Sequence, residues 1–153
     1  MAENKIFTLY TNQYDEILRT GETPNNLQIA QKFVANGYDV FLLSNPRGTK
    51  SADFIIRKKN ILFYVEGKTS SGGSALSGRL SEGAKQADRI VINLTNYSKL
   101  KRLAENIKAT FIQNPSLREL LIFKGSILIQ IDRYLITSKD YSKIIFKEFN
   151  CKK

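Results

Sequence analysis

The run Lys50-Ser51-Ala52-Asp53-Phe54-Ile55-Ile56-Arg57-Lys58-Lys59-Asn60-Ile61-Leu62-Phe63-Tyr64-Val65-Glu66-Gly67-Lys68 organises the rest of this chain. Two apolar stretches flank the short polar turn Arg57-Lys58-Lys59-Asn60, the pattern of a β-hairpin. Side chains alternate between faces along a strand, so Leu62, Tyr64, Glu66 and Lys68 share one face while Ile61, Phe63 and Val65 share the other. Glu66 and Lys68 therefore point the same way, about 7 Å apart along the strand. Asp53 ends the polar lead-in to the neighbouring strand and reaches the same spot. Two carboxylates placed together can share a hard divalent cation such as Mg2+ (or Mn2+), which prefers oxygen ligands. Lys68 then stands beside them as a fixed positive charge. The three residues make a candidate metal-assisted phosphodiesterase site, against the plainer reading of solvated strand ends with Glu66 paired to Lys68.

Upstream, Thr23-Pro24 supplies a hydroxyl cap and a proline at the first helical position, and Asn36-Gly37 supplies the stop. Leu27, Ile29, Ala30, Phe33 and Val34 form the apolar stripe between them. Tyr38 to Leu43 follows as a strand, broken by Asn45-Pro46-Arg47-Gly48. Residues 1–22 read equally as a helix face or, over Lys5 to Thr11, as a strand.

Downstream, Thr69 to Gly78 reads as a flexible loop rich in hydroxyls and glycine, able to close over a substrate. Leu80, Ala84 and Ala87 predict a short helix carrying Arg79, Lys85, Gln86 and Arg89, and Ile90 to Leu94 a buried strand. The order strand, helix, strand implies a crossover and some parallel pairing. Ser98 caps an amphipathic helix with Leu100, Leu103, Ala104, Ile107 and Phe111 inside and Lys99, Lys101, Arg102, Glu105 and Lys108 outside. Leu120 to Phe123 and Ile127 to Ile131, around Lys124-Gly125-Ser126, form a second hairpin. Tyr134 to Phe149 is expected to add one or two strands. Together these predict an α/β fold, a mixed β-sheet flanked by helices, as a single domain over residues 1–153 with its core at about 23–131.

Composition narrows the chemistry. The 153 residues suit one domain, and 42% hydrophobic content is enough for a core. Lys and Arg outnumber Asp and Glu by 24 to 14, a formal charge of +10 that favours a polyanionic partner such as nucleic acid. The loop around Arg47 and Lys50, with Lys85, Arg89 and the basic helix after Ser98, could track phosphates. Tyr64 and Tyr97 could stack on bases, but core or rim packing is the plainer reading of both. With no histidine, zinc sites and imidazole acid-base catalysis lose their commonest group, so hydrolysis must run on carboxylates, lysine and metal. The single cysteine, Cys151, leaves no internal disulfide and fits a reducing compartment. No stretch approaches a membrane span and the N-terminus lacks an apolar signal core, so no membrane partner is expected.

Asp53 followed by Glu66-Gly67-Lys68 resembles the signature of the PD-(D/E)XK nuclease superfamily, which includes many restriction enzymes. The flanking Asn36-Gly37-Tyr38-Asp39-Val40, Lys50-Ser51-Ala52, Thr69, and Gly83-Ala84-Lys85-Gln86-Ala87-Asp88 with Ile90-Val91-Ile92 resemble one branch of it over about residues 25–131. That branch comprises the C-terminal tRNase domains of contact-dependent growth inhibition toxins and similar domains on phage head-morphogenesis proteins and mobile elements. The resemblance implies a restriction-endonuclease-like core, with Asp53 and Glu66 binding Mg2+ and Lys68 orienting the attacking water or stabilising phosphate charge. Gln86 resembles a position often found close to such sites. It also implies nucleic acid as partner, with RNA or tRNA favoured and DNA the alternative, and an immunity protein if the chain is a toxin. The implied setting is the bacterial cytoplasm, or a virion if the chain is phage-encoded. A third expectation is an inactive nuclease-like module that binds nucleic acid or builds a virion. Two positions depart from the pattern: Ala52 stands where proline is common, and the first helix begins Pro24-Asn25-Asn26 where many members place a glutamate, with Glu22 the nearest substitute.

Overall fold

Lys59 and Asn60 both take positive φ, 52° and 64°, the conformation of a two-residue hairpin turn whose twist matches that of its strands. The computed structural model describes residues 5–9, 23–43, 52–71, 74–96 and 99–151. Its seven strands are β1 (Ile6–Leu9), β2 (Asp39–Leu43), β3 (Phe54–Lys58), β4 (Ile61–Ser70), β5 (Arg89–Leu94), β6 (Glu119–Lys124) and β7 (Ile127–Asp132). The helices are α1 (Thr23–Ala35), α2 (Ser74–Ala84), α3 (Leu100–Gln113), α4 (Arg133–Ile136) and α5 (Tyr141–Cys151). Strand order in the sheet follows chain order. The pairs β1/β2, β4/β5 and β5/β6 are parallel and the other three antiparallel, so the sheet is mixed.

Each parallel pair needs a crossover, and α1, α2 and α3 supply them. α1 covers one face, where Ile29, Ala30 and Phe33 pack with Val40, Phe54, Val65, Val91 and Phe123. Helices α2, α3 and α5 cover the other, where Leu76, Leu80, Ile107, Phe111 and Ile145 meet Ile90, Ile92, Leu120 and Ile122. The first helix ends as the sequence suggests: Asn36 Nδ2 donates to Lys32 O at 2.8 Å, and Gly37 takes a φ of 90°. Among the described residues no helix is long and apolar enough to cross a membrane.

Three expectations are corrected. The turn expected over Arg57 to Asn60 shrinks to two residues, because Arg57 and Lys58 pair with Leu62 and Ile61. The stretch expected as a loop after Lys68 carries strand and helix: Thr69 and Ser70 pair with Asn93 and Leu94, and α2 begins at Ser74 to bury Leu76. The tail is helical. Tyr141, Ile145 and Phe149 are buried at intervals of four, one helix face, and each fully buried side chain of this size contributes about 1.5–3 kcal/mol. Asp132 caps the preceding short helix by accepting from Leu135 N at 2.7 Å. Tyr64, beside Leu62, takes a rim position and is 60% exposed. The expected cap Ser98 and Tyr97 lie outside the described residues; Lys99 holds the N-cap position of α3 and makes no side-chain cap bond.

Candidate active site

The register of the first hairpin sets the site. Phe54 pairs with Val65, so one step further along the antiparallel ladder Asp53 stands across from Glu66 on the same face. β3 begins there, but β4 runs on to Ser70, so past Glu66 one edge of β4 has no strand beside it among the described residues. Asp53 takes up the first free donor of that edge: Gly67 N donates to its Oδ2 at 3.0 Å. Gly67 must be small, because a Cβ there would lie 2.6 Å from Phe54 Cε2 and 3.3 Å from Ile29 Cδ1.

A cleft of about 320 Å³ opens along this edge, lined by Asn25, Asn26 and Ile29 of α1, by Asp53, by Glu66 to Thr69, and by Arg79 of α2. Asp53 and Glu66 are only 4% and 3% exposed. Lys68 Nζ lies 3.4 Å from Glu66 Oε1. Burial raises the Glu66 carboxyl to about 9, helped by the Asp53 charge and a hydrogen bond shared with it, while Lys68 pulls the other way. At neutral pH the acid pair thus keeps a proton when no other positive charge joins it.

A divalent cation fits this arrangement. Glu66 Oε2 is buried without a hydrogen-bond donor, and two facing carboxylates in a low-dielectric site need a cation or a proton between them. Among the described residues no group of three or more Asp, Glu, His or Cys converges. Two carboxylates with water and substrate oxygens suffice for a magnesium ion, which keeps much of its hydration.

The other expected residues do not join the cleft. Gln86 and Lys85 follow the end of α2, and neither they nor Arg89 line it. Arg89 opens β5, where it stacks 4.3 Å from the Phe63 ring and lies 3.7 Å from Glu119 and 3.8 Å from Asp88. That is a packing role. Arg47, Lys50 and Glu22 lie outside the described residues. Sequence reading did not assign Asn26, Thr69 or Arg79 to the site. Asn26 falls in the Pro24-Asn25-Asn26 helix start where the resembled family often places a glutamate, and Thr69 in the expected loop; the packing of α1 and α2 at this edge of β4 brings both to the cleft.

No protein-family model matches the chain, and no curated protein matches it. Among solved structures, the chain is similar to a chain of the "CdiA-CT/CdiI toxin and immunity complex from Burkholderia pseudomallei". The TM-score is 0.54 at 18% sequence identity, over 84% of this chain and 99% of that one. The two chains share a fold.

Proposed function

We propose that the cleft is the active site of a metal-dependent endonuclease of the PD-(D/E)XK kind, acting as a toxin domain on RNA, with tRNA the favoured substrate. The observation that carries this reading is the buried Asp53–Glu66 pair, with Lys68 3.4 Å from the glutamate and an unpartnered carboxylate oxygen. A structural acid pair of that kind would destabilise the fold without compensation. Asp53 and Glu66 would hold Mg2+ or Mn2+. When bound, such an ion supplies Lewis acidity toward a phosphoryl oxygen and lowers the pKa of water. Glu66 would hold such an ion as the carboxylate, its proton released to solvent. Lys68, fixed by Glu66, stabilises the extra charge that a phosphodiester gains on attack, and Arg79 of α2, which also lines the cleft, adds to the positive field.

The excess of basic residues supports a polyanionic substrate. The fold shared with a chain of a toxin and immunity complex supports the toxin role, with an immunity protein as partner and the cytoplasm of a target bacterium as the setting. Digestion of a pool of tRNA, single-stranded DNA and duplex DNA, with and without magnesium, tests the reading. Magnesium-dependent loss of tRNA is the expected result. Loss of DNA alone would move the assignment to a DNA nuclease, and salt-sensitive binding without any cleavage would leave an inactive binding module.

A further inference from the structure

Among the described residues, three of the four buried side-chain atoms without a hydrogen-bond partner line this one cleft: Glu66 Oε2, Asn26 Nδ2 and Thr69 Oγ1. The first belongs to the acid pair. The other two have no place in the account above. Elsewhere the same residue types are satisfied: Asn36 and Asn114 donate to backbone carbonyls at 2.8 and 2.9 Å, and Thr110 and Thr137 donate at 2.9 and 2.8 Å. Buried donors left open cost stability, and a native fold keeps few of them without a use.

Their placement gives the use. Thr69 follows Lys68 and so faces the opposite side of β4, where its register partner Asn93 accepts from Lys32 of α1 at 2.6 Å. Asn26, 7% exposed, comes from the start of α1 on that same side. The two donors therefore sit on the α1 side of the free strand edge, with the acid pair and Lys68 on the α2 side. A ligand lying across that edge meets both sets. The first turn of α1 carries no acidic residue, and the positive end of the helix dipole adds to the pull on an anion there.

We propose that Asn26 and Thr69 form a neutral two-donor seat for a non-bridging phosphate oxygen of the strand bound in the cleft. This rests on the nuclease reading. The seat holds substrate rather than metal, because an amide N–H donates and cannot ligate a cation. The phosphate oxygen completes two hydrogen bonds that the free protein lacks, and the backbone of the nucleic acid is fixed across β4 while the acid pair stays on the other side.

Steady-state cleavage and thermal melting of Thr69→Val, Asn26→Ala and Asn26→Asp test the seat, on the RNA or DNA that the unaltered protein cleaves. Thr69→Val removes an unsatisfied hydroxyl, so its Tm should be unchanged or higher while KM rises roughly 10- to 100-fold, the worth of one hydrogen bond to a charged group. Asn26→Ala should raise KM similarly. Asn26→Asp should raise it further, since a carboxylate repels the phosphate, with no change in the magnesium requirement. A lowered Tm in Thr69→Val would show that its hydroxyl is satisfied within the fold and would overturn the seat. So would unchanged KM in Thr69→Val and Asn26→Ala. A lower magnesium requirement in Asn26→Asp, without a rise in KM, would make Asn26 a metal ligand and equally overturn it. In each case cleavage by the unaltered protein leaves the nuclease reading standing. No cleavage and no binding of any polymer by the unaltered protein removes both.

Discussion

Arg133 and Glu66 are both charged groups drawn into this fold, and the fold treats them in opposite ways. The Arg133 guanidinium donates to Phe111 O at 2.8 Å, to Asn114 O at 2.6 Å and twice to Leu117 O, at 3.0 and 2.7 Å, closing the end of α3 while lying 5.3 Å from the Phe111 ring. Every bond there is internal. Glu66 faces a second carboxylate, has one lysine at 3.4 Å and keeps an oxygen with no donor. The Arg133 charge is closed by its own chain, whereas Glu66 is left open, an arrangement that lowers stability and that the proposed cation would relieve.

The contrast is most sharply tested at the acids. Asp53→Ala, Glu66→Ala and Lys68→Ala should each reduce metal-dependent cleavage by about 10²–10⁴-fold while the melting temperature holds or rises. An unchanged rate in all three would remove the site. Arg133→Met should do the reverse, lowering stability by about 2–4 kcal/mol in denaturant titration while the folded fraction keeps its turnover. A neutral effect there would break the comparison from the other side.

Smaller effects sharpen it. Gly67→Ala pushes a methyl into Phe54 beneath the acid pair and should cost about 1–3 kcal/mol, with a loss of cleavage as Asp53 shifts. Tyr141, whose hydroxyl donates to Ala104 O at 2.7 Å inside the core, belongs to the closed class, and Tyr141→Phe should cost about 1–2 kcal/mol with activity intact. The smallest effect is one of pH. Folding raises the Glu66 carboxyl from its ordinary value to about 9, so the folded state holds a proton that the unfolded chain releases. Stability from this group is complete below about pH 4.5 and falls as pH climbs toward 9. Glu66→Gln should flatten that slope in metal-free protein and raise Tm at pH 8. For the same reason the magnesium concentration giving half-maximal cleavage should fall as pH rises over that window.

The sequence made the centre of the site legible because a hairpin obeys local rules. Period-two alternation places Glu66 with Lys68, whereas the register that brings Asp53 across from Glu66 depends on a turn of two residues, Lys59-Asn60, where the sequence pattern suggests four. The crossovers were legible from element order. What failed was of two kinds. Ile144, Ile145, Phe146 and Phe149 look strand-forming by type, yet the four-residue spacing from Tyr141 to Ile145 to Phe149 buries one helical face, and packing overrides propensity. The Ser- and Gly-rich stretch after Lys68 looks like loop, but Leu76 and Leu80 draw it into the core, and Gly78 sits on the exposed side of α2 where a Cβ would meet nothing within 4 Å. Thr69 carries no local signal, and Asn26 only its place at the helix start where the resembled family often puts a glutamate. Their position follows from β4 outrunning β3 and from α1 crossing at that edge, both products of the whole sheet.

The most direct test of the central claim is anomalous scattering from crystals grown with manganese and a short uncleavable oligonucleotide. A single manganese peak between the Asp53 and Glu66 carboxylates, with a phosphate oxygen beside Lys68, is the predicted result. A map with no metal there, and the two carboxyl groups still joined by a proton with the oligonucleotide bound elsewhere, would contradict it.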